Sequence, residues 1–120
     1  MDRCEMQGQR SERRGRNMAY SLNITEHANE LLDNLVYHLI YRLKNKQAAG
    51  HLLKEIDDIY DRFEDNPFQF PKCRDAYLAK KNYREAIVSG MSYIVVFNID
   101  GNVVNVLGIF HQLENYQSKM

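Results

Sequence analysis

The 120-residue chain has only two cysteines, Cys4 and Cys73, which form no CxxC pair and cannot build the disulfide framework of a small secreted domain. A reducing cytoplasm is the compartment this usage predicts. Net charge is also absent, since 16 lysines and arginines balance 16 acids. That excludes a nucleic-acid binder working by bulk charge alone, so any basic function must come from local clustering. No apolar run is long enough to span a bilayer, and no apolar stretch follows the early arginines as a signal peptide requires, so neither export nor membrane contact is expected. His27, His38 and His51 fall on predicted helices without metal-ligand spacing, so neither metal nor cofactor is expected. No internal repeat or low-complexity tract competes with a single-domain reading.

What is present divides into two parts. Residues 1–17 carry Arg3, Arg10, Arg13, Arg14 and Arg16 against Asp2, Glu5 and Glu12, with almost nothing apolar beyond two methionines. Such a segment cannot bury a core face and is expected to be a disordered leader or non-native extension. Met18 opens what reads as one complete domain, 18–120, left two charges negative once the leader's five arginines and three acids are set aside.

Within that domain Tyr20, Leu22 and Ile24 alternate with polar residues, the period of a strand with one buried face. Thr25 is a good N-cap, and Ala28, Leu31, Leu32, Leu35, Val36, Leu39, Ile40 and Leu43 then follow helical spacing. After a polar break at 44–46, Ala49, Leu52, Leu53, Ile56, Ile59, Tyr60 and Phe63 repeat that spacing until Asn66-Pro67 ends it. The two helices form a hairpin with roughly fifteen apolar side chains on its stripes, each contributing about 1.5–3 kcal/mol when fully buried. Residues 67–82 read as an irregular connection anchored by Phe68, Phe70 and Tyr77. Three strands follow, 83–88, 92–99 and 103–111, separated by Ser89-Gly90 and Asp100-Gly101-Asn102. The predicted fold is α+β, a helical hairpin packed on a small antiparallel sheet in the order β-α-α-β-β-β.

The last two strands are apolar on both faces. Ile94 and Val96 point away from Tyr93, Val95, Phe97 and Ile99, and simple alternation puts Val104, Val106 and Phe110 opposite Leu107 and Ile109. The hairpin covers one face only. The other must be covered by the tail 112–120, by a second copy, or by a segment of another chain.

The run Tyr20-Ser21-Leu22-Asn23-Ile24-Thr25 with Ala28, the hairpin closing at Asn66-Pro67, and the core Tyr83-Arg84-Glu85, Tyr93-Ile94-Val95-Val96-Phe97, Val104, Val106 and Ile109-Phe110-His111 resemble the RelE/ParE superfamily of toxins. The long hairpin and the Tyr-x-Val-x-Phe and Ile-Phe-His runs are more similar to the ParE branch. That resemblance implies a cytoplasmic growth inhibitor of a type II toxin-antitoxin system, of the kind tied to plasmid stabilization. Its partners would be a cognate antitoxin, DNA gyrase or a ribosome with its messenger RNA, and operator DNA through the antitoxin alone. Ile94, Val96, Val106 and Phe110 are the expected antitoxin contacts. If the chain were a RelE-like ribosome-dependent endoribonuclease, Arg84 would stabilise charge at the scissile phosphate, and His111 or Tyr116 would move protons. Lys80, Lys81 and Tyr83 would meet RNA or another target, and with Lys72 and Arg74 they make the only cationic cluster expected in the domain. ParE relatives often carry an arginine-rich tail after the final histidine. Here His111 is followed by Gln112-Leu113-Glu114-Asn115-Tyr116, which also leaves room for a degenerate toxin retained as a binding module.

Overall fold

The computed structural model describes residues 19–112. Residues 1–17, Tyr116 and, except for Gln112, the tail expected to fold back lie outside that range. Strand β1 (Ser21–Ile24) leads into helix α1 (Glu26–Tyr37), and the Thr25 side chain accepts from the Ala28 N–H as its N-cap. Thr25 also donates its hydroxyl to the Val106 carbonyl at 2.8 Å, fixing the strand-to-helix corner to the sheet. The helix runs on into a π-helical turn over His38–Arg42, and Lys44, at φ 53, reverses the chain. Asn45 then caps α2 (Lys46–Asp65).

The connection read as irregular contains a 3-10 turn at Pro67–Gln69 and a one-turn helix, α3 (Ala76–Lys80). Asp75 caps α3 through the Tyr77 and Leu78 N–H groups, while Asn82 at φ 65 and the Tyr83 N–H bond to Leu78 O close it. An αL residue followed by this backward bond is a normal helix stop. Five residues are too few for a 3.6-residue period to show in the sequence.

Strands β2 (Arg84–Ile87), β3 (Tyr93–Asp100) and β4 (Val103–His111) form the expected meander. The sheet order is β1-β4-β3-β2, and β1 lies parallel to β4. The sheet is therefore mixed, not wholly antiparallel, because the helical hairpin carries the chain back before the meander begins.

A bulge in β4 corrects a second expectation. Val96 pairs with Gly108 but Phe97 pairs with Val106, so Leu107 is an extra residue and the inside-outside alternation changes phase there. Val104, Val106 and Ile109 all pack on the helix side, whereas Phe110 packs on the far side with Leu107 against it. On the helix side Phe63, Phe70 and Phe97 form a three-ring knot with centroids 4.2–5.8 Å apart. Phe63 and Phe97 are fully buried. Phe63→Ala should lower unfolding free energy by about 3–5 kcal/mol in urea titrations, the range for deleting a buried ring; a loss below about 1 kcal/mol would show that the knot is not tightly packed.

Candidate functional site

The far face of the sheet is not open. Ile94, Val96 and Phe110 are each at most 2% exposed, covered by Cys73 and Leu78 with Tyr83, Leu107 and Leu31 against them. The cover is the chain's own segment 71–83, pinned along β2 by Cys73 N–H to Tyr83 O and Glu85 N–H to Pro71 O. The expectation that Ile94, Val96, Val106 and Phe110 present an antitoxin-binding surface is thus corrected. Three lie under this cover, and Val106, through the bulge, lies under the hairpin. Gly108 belongs to the same packing, since a Cβ there would fall 2.6 Å from the Phe110 ring and 3.0 Å from Leu31. Elsewhere the face is polar, with Asn23 Nδ2 donating to Asn105 Oδ1 and Asn105 Nδ2 to Asn98 Oδ1 across three strands.

Under the cover sits Glu85, 2% exposed, which accepts from Arg74 Nε at 2.9 Å. Cys73 is buried beside it, and burial pushes its thiol up to about 12, reinforced by the negative charges of Glu85 and Asp75. A thiol so placed stays protonated and poorly nucleophilic.

The residues expected to act in a ribonuclease are held apart. Arg84 donates from Nη1 to the Phe70 carbonyl at 2.6 Å, and its guanidinium lies 5.1 Å from the Phe68 ring centroid. It therefore locks the chain after α2 onto β2. His111 pairs across the strands with Tyr93 and packs edge-on to that ring. Arg84 is opposite Phe97 and His111 opposite Tyr93, so the two sit two strands and four residues apart. At about 3.3 Å per residue and 4.8 Å per strand their Cα atoms are roughly 16 Å apart, and the Arg84 guanidinium is already engaged by Phe70 and Phe68.

The expected cationic segment is more open. Lys81 Nζ lies 4.8 Å from the Tyr77 ring and 5.8 Å from Tyr83, while Lys80 is exposed at the end of α3. Between α3 and the start of α1 is a groove of about 350 Å³, lined by Thr25, His27, Tyr77, Lys81, Tyr83 and Leu107. It lies beyond the end of β1, where no described strand pairs with the outer edge of β4 past Val106. Chemically it offers two aromatic faces, one ammonium and an apolar floor, a set suited to a peptide segment or a stacked ring.

This is not the domain's only concentration of positive charge, which corrects a further expectation. No acid occurs between Asp33 and Glu55, while Arg42, Lys44, Lys46 and Lys54 all fall there. Residues 41–47, at the hairpin tip, are exposed throughout. The gap in acidic residues is plain in the sequence and is the signal that finds this patch.

Residues 22–116 match the family model described as the ParE toxin of the type II toxin-antitoxin system parDE. The chain belongs to that family. Its fold is similar to a solved chain of the chromosomal ParDE toxin-antitoxin system from P. aeruginosa, with a TM-score of 0.63 at 17% identity, covering 78% of this chain and 96% of that one. No curated protein matches the chain. Among the described residues no helix is long and apolar enough to cross a membrane.

The buried thiol gives a direct test of the covered face. In a Cys4→Ser background, Cys73 should resist iodoacetamide at pH 8 in the folded protein and react on addition of urea, because a thiol pushed up to about 12 is thiolate only on the order of one part in ten thousand at that pH. The stabilisation from burying the neutral thiol is complete below its ordinary value of 9.0 and is lost as pH rises from there towards about 12. Rapid labelling at pH 8 without denaturant would mean that segment 71–83 does not cover the sheet.

Proposed function

We propose that this ParE-family chain arrests growth by binding DNA gyrase through its surface, with no catalytic residue of its own, and that in the cytoplasm a cognate antitoxin holds it inactive. The observation that carries this reading is the commitment of Arg84 to the Phe70 carbonyl and the Phe68 ring, with His111 two strands away. A ribonuclease needs a guanidinium and a proton-transfer group converging on one phosphate, whereas among the described residues the Arg84 guanidinium is spent on the Phe70 carbonyl and the Phe68 ring. Inhibition by surface complementarity requires no such arrangement. For the antitoxin, the groove between α1 and α3 and the adjoining edge of β4 offer an aromatic, cationic and apolar concavity for an extended segment.

Purified protein added to a supercoiling reaction should inhibit gyrase, and Arg84→Ala should retain inhibition while losing about 1.5–3 kcal/mol of stability for a charge-assisted bond. Cleavage of messenger RNA on programmed ribosomes that disappears in Arg84→Ala would overturn the proposal. Expression of the chain should stop growth, and co-expression of the small gene beside it should restore it. Leu107→Glu, in the floor of the groove, should weaken that rescue; undiminished rescue would place the antitoxin elsewhere.

A further inference from the structure

The tip of the helical hairpin is built against the interests of the fold. Lys46 is the first residue of α2, where the helix dipole favours an acid, and the first turn has none. Lys44 occupies the left-handed region at φ 53, which a residue with a Cβ seldom adopts. The π-helical turn His38–Arg42 gives up regular α-helical hydrogen bonding just before the reversal. Tyr37, Tyr41 and Leu43 are 61%, 59% and 57% exposed, and the two tyrosine rings lie 4.7 Å apart. Arg42 alone has an internal rationale, since it sits at the negative end of the first helix. Features that weaken local stability, gathered at one exposed tip, mark a surface shaped for something outside the fold.

The charges say what that something is. In a domain that is negative overall, the tip holds Arg42, Lys44 and Lys46 with no acid between Asp33 and Glu55. Beside it is an open cleft of about 430 Å³, lined by Asn45, Gln47, Ala48, His51, Gly90 and Met91. His51 Nε2 donates to Ser89 O there, joining α2 to the β2–β3 turn. Cations that follow a charged backbone, exposed tyrosine faces on which bases stack, and amide side chains at the rim are the components of single-strand recognition. An anionic lipid surface would call for a continuous apolar stripe, and here the exposed apolar surface is two rings and one leucine. We infer that the hairpin tip binds single-stranded nucleic acid, with Arg42, Lys44 and Lys46 on phosphates and Tyr37 and Tyr41 against bases. This contact is separate from the groove offered to the antitoxin and does not rest on the gyrase proposal.

The test is fluorescence anisotropy of the full chain with labelled oligo(dT), oligo(rU) and a DNA duplex across a salt series. The arginines of residues 1–17 are common to every variant, so only differences between variants count. Three phosphate contacts on a single strand contribute a log–log salt slope of about −2, which the triple variant Arg42→Ala, Lys44→Ala, Lys46→Ala should abolish. Tyr37→Ala with Tyr41→Ala should weaken binding roughly tenfold and leave that slope unchanged. A control with Lys72→Ala and Lys80→Ala should bind as the parent does. Every variant should melt as cooperatively as the parent, since every altered side chain is exposed. Tighter binding of oligo(dT) or of oligo(rU) identifies the nucleic acid. The inference is overturned if the triple variant keeps the parent's slope, if duplex is preferred to both single strands, or if the tip cations matter only for phosphatidylglycerol vesicles.

Discussion

Strands β3 and β4 are apolar on both faces, and the rest of the chain is arranged to keep water off them. The hairpin of α1 and α2 covers one side through the Phe63, Phe70 and Phe97 knot, and the segment 71–83 covers the other through Cys73 and Leu78. Strand β1 closes the outer edge of β4 over four residues, and Thr25 anchors that closure to Val106. Where the sheet is dry it tolerates no buried charge without a partner, and for that reason Glu85 is met by Arg74 at the margin of the cover.

The two long helices were legible, with the start of the first at Thr25 and the stop of the second at Asn66-Pro67, because the causes are local, whereas the π-helical turn at His38–Arg42 and the start of α2 inside the expected break at 44–46 were not. Thr25, Asn45 and Asn66 each put a side-chain oxygen where a free N–H needs one, and the apolar spacing between them is long enough to show its period. The sheet's content was legible as well, through alternation and the Asp100-Gly101-Asn102 turn, where Gly101 takes φ 64. Its wiring was not. Whether β1 pairs with β4 or with β2 depends on how the hairpin returns the chain, a property of no local run of residues. One extra residue at Leu107 reversed the reading of Val106, since alternation cannot reveal where a strand stops alternating. The same applies to α3, whose five residues convert an apparently loose connection into the lid of the far face.

For the candidate site the lesson is different. Arg84 has the residue type and strand position that the superfamily's ribonucleases use, and only its partners show that it serves as a clamp on the chain leaving α2. Sequence carries identity and position, whereas function turns on what a guanidinium is already holding. Lys81 between Tyr77 and Tyr83 shows the reverse case, a cation expected near aromatics and placed beside them. The basic hairpin tip stood in the sequence as a gap in acidic residues, and its meaning depended on seeing that these residues face outwards together.

The parallel pairing of β1 with β4 joins Asn23 to Asn105, 82 positions away. A contact so distant along the chain cannot form until β4 has left the ribosome, and ordering the intervening loop makes it slow to close. The first strand waits for the last throughout synthesis. Until β4 exists β1 has no edge to join, so the surface that any partner could meet is assembled late in synthesis.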